Sequence, residues 1–292
     1  MIRIAALCLA VFFGSEANAQ GRIGERFITL SSTTSTEESG LFGHIIPVFR
    51  TMHGISVRVV SVGTGQALAI GERGDADALL VHDRAGEDRF VASLNGIDRR
   101  DVMHNDFIIV GPKSDPAGIR VQTSAREALA RISATGGSAA GGSAAGGSAA
   151  GAVFASRGDD SGTHRMEIRL WKSANLAPNA SNAWYREVGQ GMGPTLNIAA
   201  ALNAYTLTDR ASWANFKNRQ NLEILNQGDP VLFNSYGSIL VNPAKWPHVK
   251  SADARIWHEW LTTRPGADAI ASYRIASEQL FFPATSSPAV TR

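Results

Sequence analysis

Ser156-Arg-Gly-Asp-Asp-Ser-Gly-Thr-His164, taken with Ser31-Ser-Thr-Thr-Ser-Thr36, decides how this chain is read. Each is a cluster of hydroxyl and glycine residues running into a predicted helix, and the second also carries one cation, Arg157. The start of a helix presents unpaired backbone N–H groups and a partial positive charge, so it holds anions without needing a cationic side chain. Two such clusters, over a hundred residues apart, point to two lobes closing on one oxyanion.

Around the first cluster the chain alternates strand-like and helix-like segments. Phe27–Leu30 reads as a strand, and a helix is predicted from about Glu38 to Met52. Val57–Val62 alternates as a strand with Val57, Val59 and Val60 inward, Gly63-Thr-Gly-Gln66 leads into a helix reaching Arg73, and Ala78–His82 is a buried-type strand. This repetition predicts an α/β fold with a largely parallel sheet, whose ligands sit at the C-terminal strand ends. Asp106–Pro112 and Tyr236–Pro243 read as two long apolar strands. Between them a second set carries helices near Ala125–Ile132, Gly162–Lys172 and Pro194–Asn203, and strands at Val153–Ser156 and Tyr205–Thr208. The last helices, Asp253–Thr262 and Ala267–Tyr273, return to the first lobe. The expected division is a discontinuous first lobe, 20–107 plus 233–292, and a second lobe, 108–232, joined by two crossings as in a hinged cleft.

Two segments stand apart. Residues 1–19 read as a cleavable signal peptide, with Arg3, an apolar run from Ile4 to Phe13, and Ala17-Asn-Ala19 before the cut. The only cysteine, Cys8, lies inside it, so the mature chain offers no disulfide, thiolate metal site or cysteine nucleophile, which fits a periplasmic location. Gly-Gly-Ser-Ala-Ala occurs three times from Gly136 to Ala150, and 136–151 reads as a flexible insert at a loop tip.

A net charge of +2, with no basic cluster interleaved with aromatics, argues against a nucleic-acid partner. The seven histidines show no ligand spacing, so neither a metal site nor a cofactor is expected. Gly63-Thr-Gly-Gln66 lacks the Lys-Ser/Thr of a nucleotide P-loop. A hydrolase built from Ser161, His164 and Asp209 is the rival class. It lacks a Gly-x-Ser-x-Gly elbow, and Ser161 and His164 fall on one helix face, so no enzyme is expected.

Ser-Ser-Thr-Thr-Ser-Thr-Glu-Glu-Ser-Gly-Leu, Val-Gly-Thr-Gly-Gln-Ala-Leu and Arg-Gly-Asp-Ala-Asp-Ala-Leu-Leu-Val-His-Asp follow one another in the first half. Later come Asn-Asp-Phe-Ile-Ile-Val-Gly-Pro, the Arg157 stretch, Gly-Gln-Gly-Met-Gly and Tyr-Thr-Leu-Thr-Asp-Arg. This ordered series closely resembles the tungstate-binding proteins of ABC transporters, the TupA family of periplasmic solute-binding proteins. The resemblance implies a two-lobed type II periplasmic-binding fold with a hinged interlobe cleft, tungstate as ligand with molybdate as competitor, and delivery to the transmembrane subunits of an ABC permease. The family's Thr-Thr-Thr-Ser motif falls on Ser32, Thr33, Thr34 and Ser35. Its Arg-x-Asp-x-Ser-Gly-Thr element, similar to one in phosphate-binding proteins, falls on Arg157, Asp159, Ser161, Gly162 and Thr163.

Tungstate is a tetrahedral dianion that offers only acceptors, so its site needs only donors. The candidates are Thr34, Ser35, Ser161 and Thr163 for hydroxyls, Thr64-Gly65 and Ser161-Gly162 for N–H groups, and the Arg157 fork, with Thr33 and Asp159 in support. Monohydrogen phosphate instead brings a proton and is helped by an acceptor carboxylate, for which Asp160 or Asp209 is available, so another tetrahedral oxyanion, phosphate or sulfate, is the alternative. Asp159 is expected to pair with Arg157, and Asp160 to sit at a helix start. Arg210 is expected either to reach the cleft or to pair with a neighbouring carboxylate, and Arg99 and Arg100 to form a solvated or interlobe pair. Gly191–Thr195 lines the cleft rim in this reading, and the mature protein is expected to be a monomer.

Overall fold

The computed structural model describes residues 25–139 and 151–284; the expected signal peptide 1–19 and positions 140–150 of the insert lie outside them. The chain runs β1 (Phe27–Thr33), α1 (Thr34–Glu38), α2 (Leu41–His53), β2 (Ser56–Val62), α3 (Thr64–Glu72), β3 (Ala78–Val81) and α4 (Arg84–Ala92) into the long strand β4 (Gly96–Pro112). It continues with α5 (Ala125–Ala139), β5 (Phe154–Ser156), α6 (Gly162–Ser173), β6 (Tyr185–Glu187), α7 (Met192–Leu202), β7 (Thr206–Asp209), α8 (Arg210–Asn215) and β8 (Leu222–Asn226). Strand β9 (Phe233–Val241), helices α9 (Ser251–Thr262) and α10 (Arg264–Ser272), and the short strands β10 (Arg274–Ile275), β11 (Glu278–Gln279) and β12 (Phe282–Pro283) follow.

One strand threads both lobes. From Gly96 to Asp106, β4 pairs antiparallel with β9; from Phe107 to Pro112 it pairs antiparallel with β7 and β8. The first lobe's sheet has the order β12-β4-β9-β3-β1-β2, with β1 parallel to both β2 and β3. The expectation of a largely parallel sheet therefore holds at β1, β2 and β3, and between β5 and β6, while β3–β9, β12–β4 and every β4 pairing are antiparallel. The cause is that β4 and β9 connect the lobes and run side by side in opposite directions, which no local repeat predicts.

The central strands are apolar on both faces because both are covered. In β3, Ala78 and Leu80 enter a core with Phe42, Phe49 and Trp257, whereas Leu79 and Val81 face Ala67, Leu68 and Phe90. The second half of β4 repeats the scheme: Phe107 and Ile109 join Phe154, Trp171 and Tyr185, and Ile108 and Val110 join Leu196 and Trp213. Strand alternation sends successive side chains to opposite faces, so each lobe has two cores about one sheet.

Several boundaries differ from the sequence reading. The predicted helix from Glu38 to Met52 is two helices, broken at Gly40, whose φ of +81° favours glycine. A Cβ there would lie 2.6 Å from the Tyr273 hydroxyl, which donates to the Ser39 carbonyl. The first half of β4, which the sequence reading left out, contains Asp98-Arg-Arg-Asp101, a charge run that reads as loop. Its charges are paired in place: Arg99 with Glu87 and Asp101, and Arg100 with Asp98. Helix α5 extends through Gly136 and Gly137 to Ala139, so the start of the expected flexible insert is helical.

Candidate functional site

The first lobe presents the ends of its parallel strands β1, β2 and β3: Thr33-Thr34-Ser35, Gly63-Thr64 and His82. The second lobe faces them with the turn from β5 into α6, carrying Arg157 to Thr163, and with the starts of α7 and α8 at Gly191 and Asp209. Helix α1 packs against both α7 and α8. The lobes approach closely at Gly162, where a Cβ would lie 2.8 Å from His82 Cε1 and 3.0 Å from Thr64 Oγ1. Only a glycine admits that contact without displacing one wall.

Arg157 lies at the centre. Its side chain is 1% exposed, and Nη2 donates to Asp159 Oδ2 at 2.6 Å and, across the lobes, to Thr34 Oγ1 at 3.3 Å. Among the described residues, its Nε and Nη1 have no partner. A buried donor left without an acceptor is costly, and for a guanidinium more so. Asp159 holds the fork from one side, and its other oxygen accepts Ser161 N–H at 3.2 Å. Its expected pairing with Arg157 is present.

The hydroxyls divide into two groups. Thr64 Oγ1 and Thr163 Oγ1, on residues 0% and 1% exposed, are unpartnered like Arg157 Nε and Nη1. Thr34 Oγ1 accepts from Arg157 and keeps its own proton to donate. The others serve the framework. Thr33 caps α1, accepting Thr36 N–H and meeting the Ser35 and Thr36 hydroxyls at 3.2 and 2.7 Å. Ser35 Oγ also meets His82 Nε2 at 3.2 Å. Ser161 caps α6 by accepting His164 N–H at 3.2 Å. Gly65 faces the Asp160–Arg165 pair: a Cβ there would lie 2.6 Å from Asp160 Oδ2. A cavity of about 450 Å³, whose lining includes Thr34, Gly63, Gln66, Asp159, Gln190 and Gly191, adjoins the cluster.

His82, missed by the sequence reading, is the added residue. It ends the third parallel strand, where loops feed the cleft, and that position was the available signal. Burial, with the Arg157 charge beyond it, depresses its pKa to about 4, against the Asn234 hydrogen bond and Asp83. The ring is thus neutral at pH 7. Asp209 caps α8 through Oδ1, which accepts Ser212 N–H at 2.9 Å, while its Oδ2 is buried without a partner and burial raises its pKa.

Other candidates are occupied elsewhere. Arg210 pairs bidentately with Asp106, at 2.7 and 2.6 Å, the carboxylate alternative. Asp160 stands at the start of α6, directly before its cap Ser161, and its carboxylate binds Arg165 through both oxygens at 2.8 Å. The imagined triad does not form: Ser161 Oγ accepts the His164 backbone, and His164 Nδ1 accepts Asp160 N–H.

A cleft lined with donors between two lobes, crossed by β4 and β9, defines a solute-binding protein, and a family model described as "PBP superfamily domain" matches residues 16–265. The tungstate-binding protein TupA of Peptoclostridium acidaminophilum is 40% identical over 84% of this chain and 81% of its own length. The solved structure of the tungstate ABC transporter from Geobacter sulfurreducens is 46% identical, with a TM-score of 0.74 over 85% of this chain and 99% of that one. TupA of Desulfovibrio alaskensis G20 is 39% identical, with a TM-score of 0.72 over 88% and 98% of the two chains. The chain belongs to the TupA family of tungstate-binding proteins.

Proposed function

We propose that this protein captures tungstate in its interlobe cleft, with molybdate as competitor, and delivers it to the transmembrane subunits of an ABC permease. The observation that carries this reading is the buried Arg157 with Nε and Nη1 unpartnered, beside the unpartnered hydroxyls of Thr64 and Thr163. Unpartnered donors on both lobes, with Asp159 already committed to Arg157, suit a fully ionised oxyanion. Thr34, Gly162 and backbone N–H groups complete the proposed shell, and Thr33, Ser35 and Ser161 hold its walls. Gly65 gives room for the Asp160–Arg165 pair.

The lobes in this reading are 20–107 with 233–292, and 108–232; closure brings both sets of donors onto one ligand, so ligand favours the closed form. The protein acts as a monomer in the periplasm, released from its signal peptide. Among the described residues, no helix is long and apolar enough to cross a membrane.

One observation favours a second reading. Asp209 Oδ2 is buried without a partner and could accept a proton from monohydrogen phosphate. Calorimetric titration with tungstate, molybdate, sulfate and phosphate decides between them. Tight binding of tungstate, with molybdate equal or weaker and the others silent, supports the first reading. Phosphate or sulfate binding most tightly overturns it, and phosphate doing so favours Asp209 against the ligand.

A further inference from the structure

Asp83 follows His82 at the start of α4, and its side chain is 3% exposed. It occupies a capping position but makes no side-chain cap hydrogen bond. Nearby first-lobe cations are committed elsewhere: Arg84 binds Asp88, Arg99 binds Glu87 and Asp101, and Glu87 Oε1 accepts the Asp83 backbone N–H. Both Asp83 oxygens go instead to α6 of the second lobe, Oδ2 to Arg165 Nη1 at 2.8 Å and Oδ1 to Arg169 Nη1 at 3.2 Å. Arg165 is braced by Asp160, so its guanidinium is aimed before the lobes meet. Among the described residues, Asp83 therefore has ion-pair partners only across the cleft, and parting the lobes breaks both pairs at once.

We propose that Asp83, Arg165 and Arg169 form an interlobe clamp, separate from the donors of the cleft, that sets how tightly and how long a bound oxyanion is held. The proposal rests on the oxyanion reading for its ligand, though the clamp itself is a property of the lobes. A ligand that binds the closed form has an apparent affinity scaled by the population of that form. The clamp raises that population whatever oxyanion is bound. Residues touching the ligand act on each oxyanion differently, whereas the clamp acts on all by one factor. Because Arg169 is 51% exposed, part of the clamp is screened by salt.

The test compares the mature wild type with Asp83→Asn and with the double variant Arg165→Met, Arg169→Met, by stopped-flow binding of tungstate and molybdate and by small-angle scattering without ligand. The expected result is dissociation about tenfold faster for both oxyanions, with an unchanged tungstate-to-molybdate ratio and little change in association rate. Raising KCl weakens the wild type more than either variant, and the ligand-free variants are more expanded. Unchanged dissociation in both variants overturns the clamp, and so does a changed ratio, which would move these residues into the ligand's own shell. If the wild type binds no oxyanion, the proposed function fails on its own. The scattering arm still decides the clamp, and equal dimensions of wild type and variants overturn it.

Discussion

Arg157 Nη2 lies 2.6 Å from Asp159 Oδ2, while Nε and Nη1 of the same buried guanidinium have no partner among the described residues. One edge of the fork is anchored and the rest is presented. Arg157→Ala removes a charged donor pair and is expected to weaken tungstate binding by more than about 3 kcal/mol. Arg157→Lys keeps the charge but not the fork, so it recovers only part of that loss. Titration calorimetry measures both; wild-type affinity in the alanine variant removes Arg157 from the site.

Gly162 separates binding from stability. As the first residue of α6 it gains helix propensity on replacement by alanine, less than the about 1 kcal/mol of a helix interior. The added Cβ would nevertheless press on His82 Cε1 at 2.8 Å, and that ring is confined by Tyr236, at 4.8 Å between centroids, and by Asn234. Gly162→Ala is expected to keep or raise the melting temperature while weakening oxyanion binding at least tenfold, or about 1.4 kcal/mol. Parallel thermal melts and titrations separate the two effects.

Glu167 is 2% exposed on α6 and accepts from Tyr185 at 2.6 Å and Trp171 at 3.1 Å. Burial outweighs these bonds and pushes its pKa up to about 7. A folded-state pKa above the unfolded one means the contribution is complete below about 4.5 and is lost as pH rises through about 7. Glu167→Gln removes this dependence. The variant's stability relative to wild type should thus rise by about 3 kcal/mol between pH 4.5 and 8. Urea unfolding at several pH values checks the difference; a flat difference assigns Glu167 an ordinary pKa. The difference is the quantity to read, because His82, depressed to about 4, loses stability in the opposite direction as pH falls below 6.5.

Phe49 is fully buried and meets Trp257 edge-on at 4.9 Å and Trp260 at 5.3 Å. Phe49→Ala is expected to cost about 3–5 kcal/mol by leaving a cavity. Met52, on the same helix but 51% exposed, should tolerate alanine within about 0.5 kcal/mol. Chemical denaturation distinguishes them, and equal costs would displace α2 from the first core.

Much of this was legible in the chain. Hydroxyls and glycines at predicted helix starts, with Arg157 among them, carry the anion chemistry locally, because a helix start exposes N–H groups wherever it occurs. Strand and helix periods located β1 to β3 and α6 for the same reason. The first half of β4 was not legible, since Asp98-Arg-Arg-Asp101 reads as solvated until Glu87 comes alongside. Nor was the break at Gly40, which depends on Tyr273, far along the chain.

By itself the sequence determined the alternation of α and β, the donor-rich character of the two clusters, and the Arg157–Asp159 pair two residues apart. Tertiary structure decided which donors stay free. Ser35 is engaged by His82, Arg210 by Asp106, and Arg165 and Arg169 by Asp83, while among the described residues Thr64 and Thr163 are left unpartnered. The physical reason is range. A helix start or a close ion pair is set by neighbours in the chain, whereas a side chain's final partner is set by whichever distant strand end or helix packing brings beside it.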